Sequence, residues 1–254
     1  MGPMKVKGDG GALYSMTKVD DYTRLTWYFP LTKKSDAAKV IIEEWLPMVE
    51  RESGKGVKAI CSDRGGEFLG AEFRSWLKRH GIKQQLTTAY TPQSNSMAER
   101  ANRTIIEGGR TILVDSGLPL RFWPLTIRHA TVIKNRVLTH VGGQHWVPME
   151  KWSSKKPLVE MLRVFGCMGL VHVLKEKRDN LQAAAVWAVH LGKRDAVRGG
   201  AKEGAAKERS KRAAHPRDFL KYERLGGPKA LLVQEEEDEE EKGAEGEMEQ
   251  ICCS

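Results

Sequence analysis

The spacing of apolar residues divides the first 150 positions into a regular series of elements. Leu13–Thr17 and Leu25–Phe29 are rich in β-branched and aromatic types and flank Asp20-Asp21, so they read as two strands joined by a tight turn. From Ser35, a candidate N-cap, apolar residues recur at Ala38, Ile41, Ile42, Trp45 and Val49, one face of a helix in which Pro47 predicts a kink or late break. VKAICSD (57–63) is a short apolar strand ending on Asp63, and AEFRSWLKRHG (71–81) is an amphipathic helix closed by Gly81. IKQQLTT (82–88) is another strand, TAYTPQSN (88–95) a polar loop, and SMAERANRTIIEGGRTILVDSG (96–117) a long helix with Ser96 as candidate cap. Helical character continues from 117 to 152, with an apolar helix around Ala130–Val137, and residues 162–192 hold two or three short strands.

Strand, strand, helix, strand, helix, strand, helix is the order of an α/β domain with a mixed sheet. In such sheets ligands gather beyond the C-terminal ends of strands, which is where Asp63 falls. After about 195 the pattern dissolves. AVRGGAKEGAAKERSKRAAHPR (196–217) is low-complexity, and an acidic block follows it. Neither holds enough large apolar residues to offset chain entropy, so disorder is expected over 196–254.

Charge adds a second division. Residues 235–249 carry ten acids and one lysine, a net −9, which leaves +18 of the overall +9 on residues 1–234. A basic body suits a polyanionic partner, nucleic acid first among them, or simply a well-solvated surface. The cysteines at 61, 167, 252 and 253 have neither metal-ligand nor redox spacing, and no histidine pairs with them at zinc spacing, so reduced thiols and no structural zinc are expected. No apolar stretch approaches the ~20 residues of a membrane span. No secretion signal is evident either, so an intracellular protein without a membrane partner is expected. KERSKRAAHPR (207–217) is a candidate nuclear localisation signal or nucleic-acid patch, though such runs are more often solvated linkers.

Asp63 precedes Gly65-Gly66, and the fragment alone is ordinary turn chemistry. Glu99 lies on the long helix straight after the polar loop, 35 residues intervening. A strand-end aspartate and a helix-borne glutamate can converge, and two carboxylates would suit Mg²⁺, a hard cation that takes oxygen ligands. With two metals about 3.5–4 Å apart, such a site clamps the attacking and leaving oxygens of a phosphodiester. At helical spacing Glu99, Asn102, Arg103 and Arg110 share a polar face, while Ala98, Ala101, Ile105 and Ile112 share an apolar one. The plainer reading is a solvated face with an i,i+4 Glu99–Arg103 pair worth ~0.3–0.5 kcal/mol. Gly108-Gly109 should weaken that helix by about 1 kcal/mol per residue relative to Ala, leaving tertiary packing to hold it.

SDRGGEF, HGIKQQLTTAYTPQSNSMAERANRTI and GLPLRFW resemble the integrase core of copia-type retrotransposons. VPMEKWSSKKPLVEMLRVFGCMGLVHVLKEKRDNL resembles the segment that follows the core in those polyproteins. GPM followed by GGALYSMTKVDDYTRLTWYFPLTKKSDA resembles the first strands and helix. The likeness runs through about residues 1–195. It implies a ribonuclease H-like fold, with a core over 1–153 and a small β-barrel-like unit over 154–195, while the disordered basic linker and acidic tail over 196–254 carry no family likeness. It also implies a D,D,E triad holding Mg (or Mn), and cleavage and strand transfer on DNA. Asp63 matches the second aspartate and Glu99 the glutamate. Thr91-Pro92-Gln93-Ser94-Asn95 matches the flexible segment before the catalytic helix. Gln93, Asn95, Asn102, Arg103 and Arg110 are the candidate nucleic-acid contacts, and a homo-oligomer is a candidate partner because retroviral integrases work as multimers.

The pattern departs at its first acid. In the family that aspartate sits just before Gly-Pro-Met, and this sequence begins Met1-Gly2-Pro3-Met4. Asp20 and Asp21 match a later Asp-Asp-Tyr turn, and Asp9 would need an unusual register. Impaired catalysis is therefore expected, with a non-enzymatic DNA- or chromatin-binding protein recruited by the host as the alternative. Arg64 in place of the usual asparagine, Ser96 in place of a glycine and Lys193 in place of a tyrosine are smaller departures.

Overall fold

The computed structural model describes residues 1–63, 65–86, 92–160, 162–172, 185–194, 231–236 and 251–253, without the side chains of 92–96, 193–194, 231–236 and 251–253. Its main sheet has five strands in the order β2-β1-β10-β3-β4. β1 (Tyr14–Asp20) and β2 (Thr26–Leu31) form the antiparallel hairpin read around Asp20-Asp21. β3 (Ala59–Ser62) and β4 (Lys83–Leu86) are parallel, as a helical crossover requires. Between the two pairs lies β10 (Ile251–Cys253), antiparallel to β1 and parallel to β3. With helices on its faces, this mixed sheet is ribonuclease H-like.

One face is covered by α1 (Asp36–Val40), a π-helical turn at Ile41–Trp45 and α2 (Leu46–Ser53). The short α3 (Gly66–Leu69) and α4 (Ala71–Arg79) extend the same layer. Ile41, Trp45 and Val49 lose all solvent contact there, joined by Leu46, Ile60, Phe68, Phe73 and Leu77. The irregularity that Pro47 predicts falls ahead of the proline, as the π turn, since Pro is tolerated in the first turn of α2. Ser35 makes no side-chain cap. Asp36 Oδ2 instead accepts the Lys33 N–H at 3.0 Å.

The other face is covered by α5 (Pro92–Ser116) and α6 (Trp123–Arg136). Gly108-Gly109, expected to weaken the long helix, lies at the α5–α6 contact: a Cβ on Gly109 would come within 3.0 Å of the Ile127 backbone. The glycine permits the close packing that holds the helix. A hairpin of β5 (Thr139–Val141) and β6 (Gln144–Trp146) and the short α7 (Pro148–Ser153) follow. β7 (Met168–His172), β8 (Ala185–Arg194) and β9 (Leu231–Glu236) form a separate three-stranded sheet.

Two short strands, β9 and β10, fall within the segment 196–254. Leu231-Leu232-Val233 and Ile251-Cys252-Cys253 are short β-prone runs that borrow their hydrogen-bond partners from distant strands. The register of β9 sets Glu235 beside Lys193 and Glu236 beside Arg194. Residues 207–217 lie outside the described residues. No helix among the described residues is long and apolar enough to cross a membrane.

Candidate functional site

β3 is buried at all four positions, and Asp63, the residue just beyond its end, is half-buried. Asp63 Oδ1 accepts the Gly65 N–H at 3.0 Å, an Asx-type turn that turns the chain into α3. Its other oxygen has no protein hydrogen-bond donor among the described residues. Beside this turn Lys34 Nζ stands 3.2 Å from Glu67 Oε1. The Met1 ammonium donates to Ser15 O at 2.8 Å and lies within electrostatic reach of Asp63 and Glu67. Burial and Lys34 lower its pKa, while the two carboxylates oppose that shift. The structure thus brings the beginning of this sequence next to Asp63.

Helix α5 supplies the second acid. Ala98 is fully buried against Cys61, with Met97 packed alongside, so the helix meets β3 two residues before Asp63. Glu99 follows that contact and is exposed. One turn further, Asn102 Oδ1 accepts the Thr17 hydroxyl at 3.1 Å, tying the helix to β1. Ala101 and Ile105 are buried and Ile112 is partly buried, as the helical phase predicts. The opposite face forms an open groove of about 360 Å³ lined by Glu99, Asn102, Arg103, Ile106, Glu107 and Arg110. No ion pair joins Glu99 to Arg103 among the described residues, so both charges face the groove.

The helix begins at Pro92, so Pro92–Asn95, expected as loop, form its first turn. Proline lacks only an N–H that the first turn leaves unpaired anyway, which is why it fits there. Gln93 and Asn95 are therefore helical positions, and their side chains, like Arg64 and residues 87–91, lie outside the described residues. Sequence reasoning missed the Thr17–Asn102 bond, the Lys34–Glu67 pair and the placement of Met1. Each joins residues far apart in the chain, and no local pattern announces them.

Asp20 and Asp21 are committed elsewhere. Asp20 is fully buried, and its Oδ2 accepts the Thr23 N–H at 2.8 Å and the Thr23 hydroxyl at 2.6 Å. Asp21 pairs with Arg24. Carboxylate oxygens are the right donors for a hard cation. Among the described residues, however, no group of three His, Cys, Asp or Glu side chains could hold a metal ion.

Residues 1–92 match the integrase core domain family. The chain carries an integrase core of the copia retrotransposon type. It is 36% identical over 191 residues to the retrovirus-related Pol polyprotein from transposon TNT 1-94 of Nicotiana tabacum, covering 75% of this chain and 14% of that polyprotein. It is 34% identical over 154 residues to that from transposon RE2 of Arabidopsis thaliana, covering 61% of this chain and 10% of the relative. The chain therefore spans only about a tenth to a seventh of these relatives. Among solved structures, it is similar to a simian T-cell lymphotropic virus intasome in complex with PP2A regulatory subunit B56 gamma. The TM-score is 0.46 and the identity 16%, with 73% of this chain and 66% of that chain covered. It is also similar to the catalytic core domain of BIV integrase, with a TM-score of 0.41 and 21% identity over 54% of this chain and 83% of that one.

Proposed function

We propose that this integrase-like chain binds DNA along the α5 groove and presents Asp63 and Glu99 as two of the three carboxylates that phosphodiester cleavage and strand transfer need. The supporting observation is the packing of α5 on β3. Ala98, next to Glu99, packs on Cys61, two residues before Asp63, and Arg103 and Arg110 line the groove that begins at Glu99. Guanidinium groups contact phosphates and position the duplex, and Asn102 is held at the β1 end of the same groove. A divalent metal, Mg or Mn, is the family's cofactor. Among the described residues no third His, Cys, Asp or Glu side chain joins Asp63 and Glu99 as a metal-holding group, and the reading proposed is DNA binding without cleavage.

The test has two arms. Binding to duplex DNA should weaken steeply with salt. Arg103→Ala with Arg110→Ala should reduce the salt slope by about 2, or about 1 for each phosphate that is no longer neutralised. Affinity that is insensitive to salt and to both substitutions would remove the groove from the account. In the second arm, Mg²⁺-dependent nicking of a supercoiled plasmid, abolished by Asp63→Ala, would show that the two acids suffice and overturn the binding-only state. A variant extended ahead of Met1 by a strand ending in aspartate should gain that activity.

A further inference from the structure

The centre of the main sheet is filled by residues from the far end of the sequence. β1 is buried from Ser15 to Asp20 and β3 at every position, so each would leave backbone donors and acceptors unpaired in the interior if nothing lay between them. Ile251–Cys253 pairs with both. Asp20, Val19 and Lys18 stand opposite Ile251, Cys252 and Cys253 in turn, and Ile60 and Cys61 stand opposite Ile251 and Cys252.

A second segment uses the same edge of β1. Met1 N donates to Ser15 O, Ser15 N donates back to Met1 O at 3.0 Å, and Met4 N donates to Leu13 O at 2.8 Å. Passing down β1 from Asp20 to Leu13, the opposing residues run 251, 252, 253 and then 1 to 4. Both segments are antiparallel to β1, and only Thr17 and Met16 separate them. At the rise of a strand, Cys253 and Met1 are about 10 Å apart along one line.

We propose that the channel between β1 and β3 is a strand-acceptor site, filled here by Ile251–Cys253 of the same chain as a donor strand. Its ligand class is an extended peptide of apolar, β-prone residues, bound through main-chain hydrogen bonds to both walls. Donor and Met1 lie in line with one polarity, so a strand joined in register ahead of Met1 would enter the same channel, and the two occupants exclude each other. A donor of three residues makes few ladder bonds, so a longer strand displaces it. This inference does not depend on DNA binding.

Amide exchange reads the site residue by residue. Alternate N–H groups of a strand face the same neighbour. The Ser15 N–H faces Met1, so that of Val19 faces β10, whereas Asp20 N donates to Leu25 O across the hairpin at 2.9 Å. In the full chain, exchange followed by NMR should show both amides protected. Deleting residues 251–254 should speed exchange at Val19 at least tenfold with Asp20 little changed, and an added peptide of residues 248–254 should slow it again. Fusing a five-residue β-branched strand ahead of Met1 in the full chain should leave Val19 protected and release the Cys252 amide. Fast exchange at Val19 beside a protected Asp20 in the intact chain would overturn the proposal. So would a deletion without effect at Val19. If the shortened chain does not fold, the intact chain and the fusion decide: a Cys252 amide as well protected in the fusion as in the parent also overturns it.

Discussion

Two aspartates end two strands of one sheet, and the structure uses them in opposite ways. Asp20 closes β1 level with Ile60, is fully buried, and commits one oxygen to both the backbone and the hydroxyl of Thr23. Its other oxygen is buried without a partner among the described residues, and burial raises its pKa, against the opposing Thr23 bonds. Asp63 lies three residues beyond Ile60, is half-buried, and gives one oxygen to the Gly65 N–H. Asp20 therefore serves the fold from the interior, at the expense of its own charge, while Asp63 stands half-buried at the end of the strand that α5 packs on. Both are strand-end acids beside turn residues, and what separates them is burial and the number of local donors.

The largest expected effect is on stability. Asp20→Ala leaves the buried N–H and hydroxyl of Thr23 short of their acceptor, at a cost of about 1–3 kcal/mol. That should lower Tm by roughly 2–4 °C per kcal/mol for a chain of this size. Asp63→Ala frees a Gly65 N–H that water can reach and should change stability by only about 0.5 kcal/mol. Urea unfolding of the two variants beside the parent measures both. If Asp63→Ala costs as much as Asp20→Ala, Asp63 is a structural acid and the distinction collapses.

Acid titration sharpens the same contrast. The folded pKa of Asp20 lies above its unfolded value of 3.8, so in the window just above 3.8 the folded chain binds more protons. Stability contributed there falls as pH rises through the folded pKa, and at neutral pH the ionised group is a burden. His129 acts in the other direction. Burial, with the charge of His190, lowers its pKa from 6.5 to about 4, so the stability it supports above 6.5 is lost as pH falls toward 4. Asp20→Asn keeps an acceptor for Thr23 and removes only the titration. Its stability relative to the parent should rise with pH through the Asp20 window and then level off. A difference that stays flat from pH 3.5 to 7 would mean that burial does not shift Asp20.

Much of the fold was legible because its signals are local. The phase of Ile41, Trp45 and Val49 marks the buried face of one helix layer, and that of Ala98, Ala101 and Ile105 marks the other. The strand-end position of Asp63 follows from the apolar run before it. What escaped depends on partners distant in the chain. Leu231-Leu232-Val233 and Ile251-Cys252-Cys253 are too short to show a period, and only the exposed edges of β8, β1 and β3 make them strands. Pro92 reads as loop because a proline sounds a break in isolation, yet the first turn of α5 accepts it. Gly109 reads as a weakness until Ile127 is placed against it. In the candidate site the two acids could be named from the sequence, whereas the tie from Asn102 to Thr17 and the approach of Met1 could not.

The smallest effect probes whether the Asp63 turn depends on its glycines. Gly65 has φ −58° and ψ 140°, a conformation open to any residue, so alanine there brings no backbone strain. Its Cβ would meet the Glu67 carboxylate at 2.7–2.9 Å, and that group is the far end of a flexible side chain. Glu67 can swing aside by loosening its pair with Lys34. A partly exposed pair of this kind is worth about 0.2–1 kcal/mol, which bounds the loss, and the lower backbone entropy of alanine in the unfolded chain offsets about 0.4–1 kcal/mol of it. The Gly65 N–H still reaches Asp63. Gly65→Ala should therefore leave the urea midpoint nearly unchanged and DNA affinity intact. A loss of more than about 1 kcal/mol would show that Glu67 cannot move. The Lys34–Glu67 pair would then be what holds the Asp63 turn in place, and Asp63 would resemble Asp20 more closely than its exposure suggests.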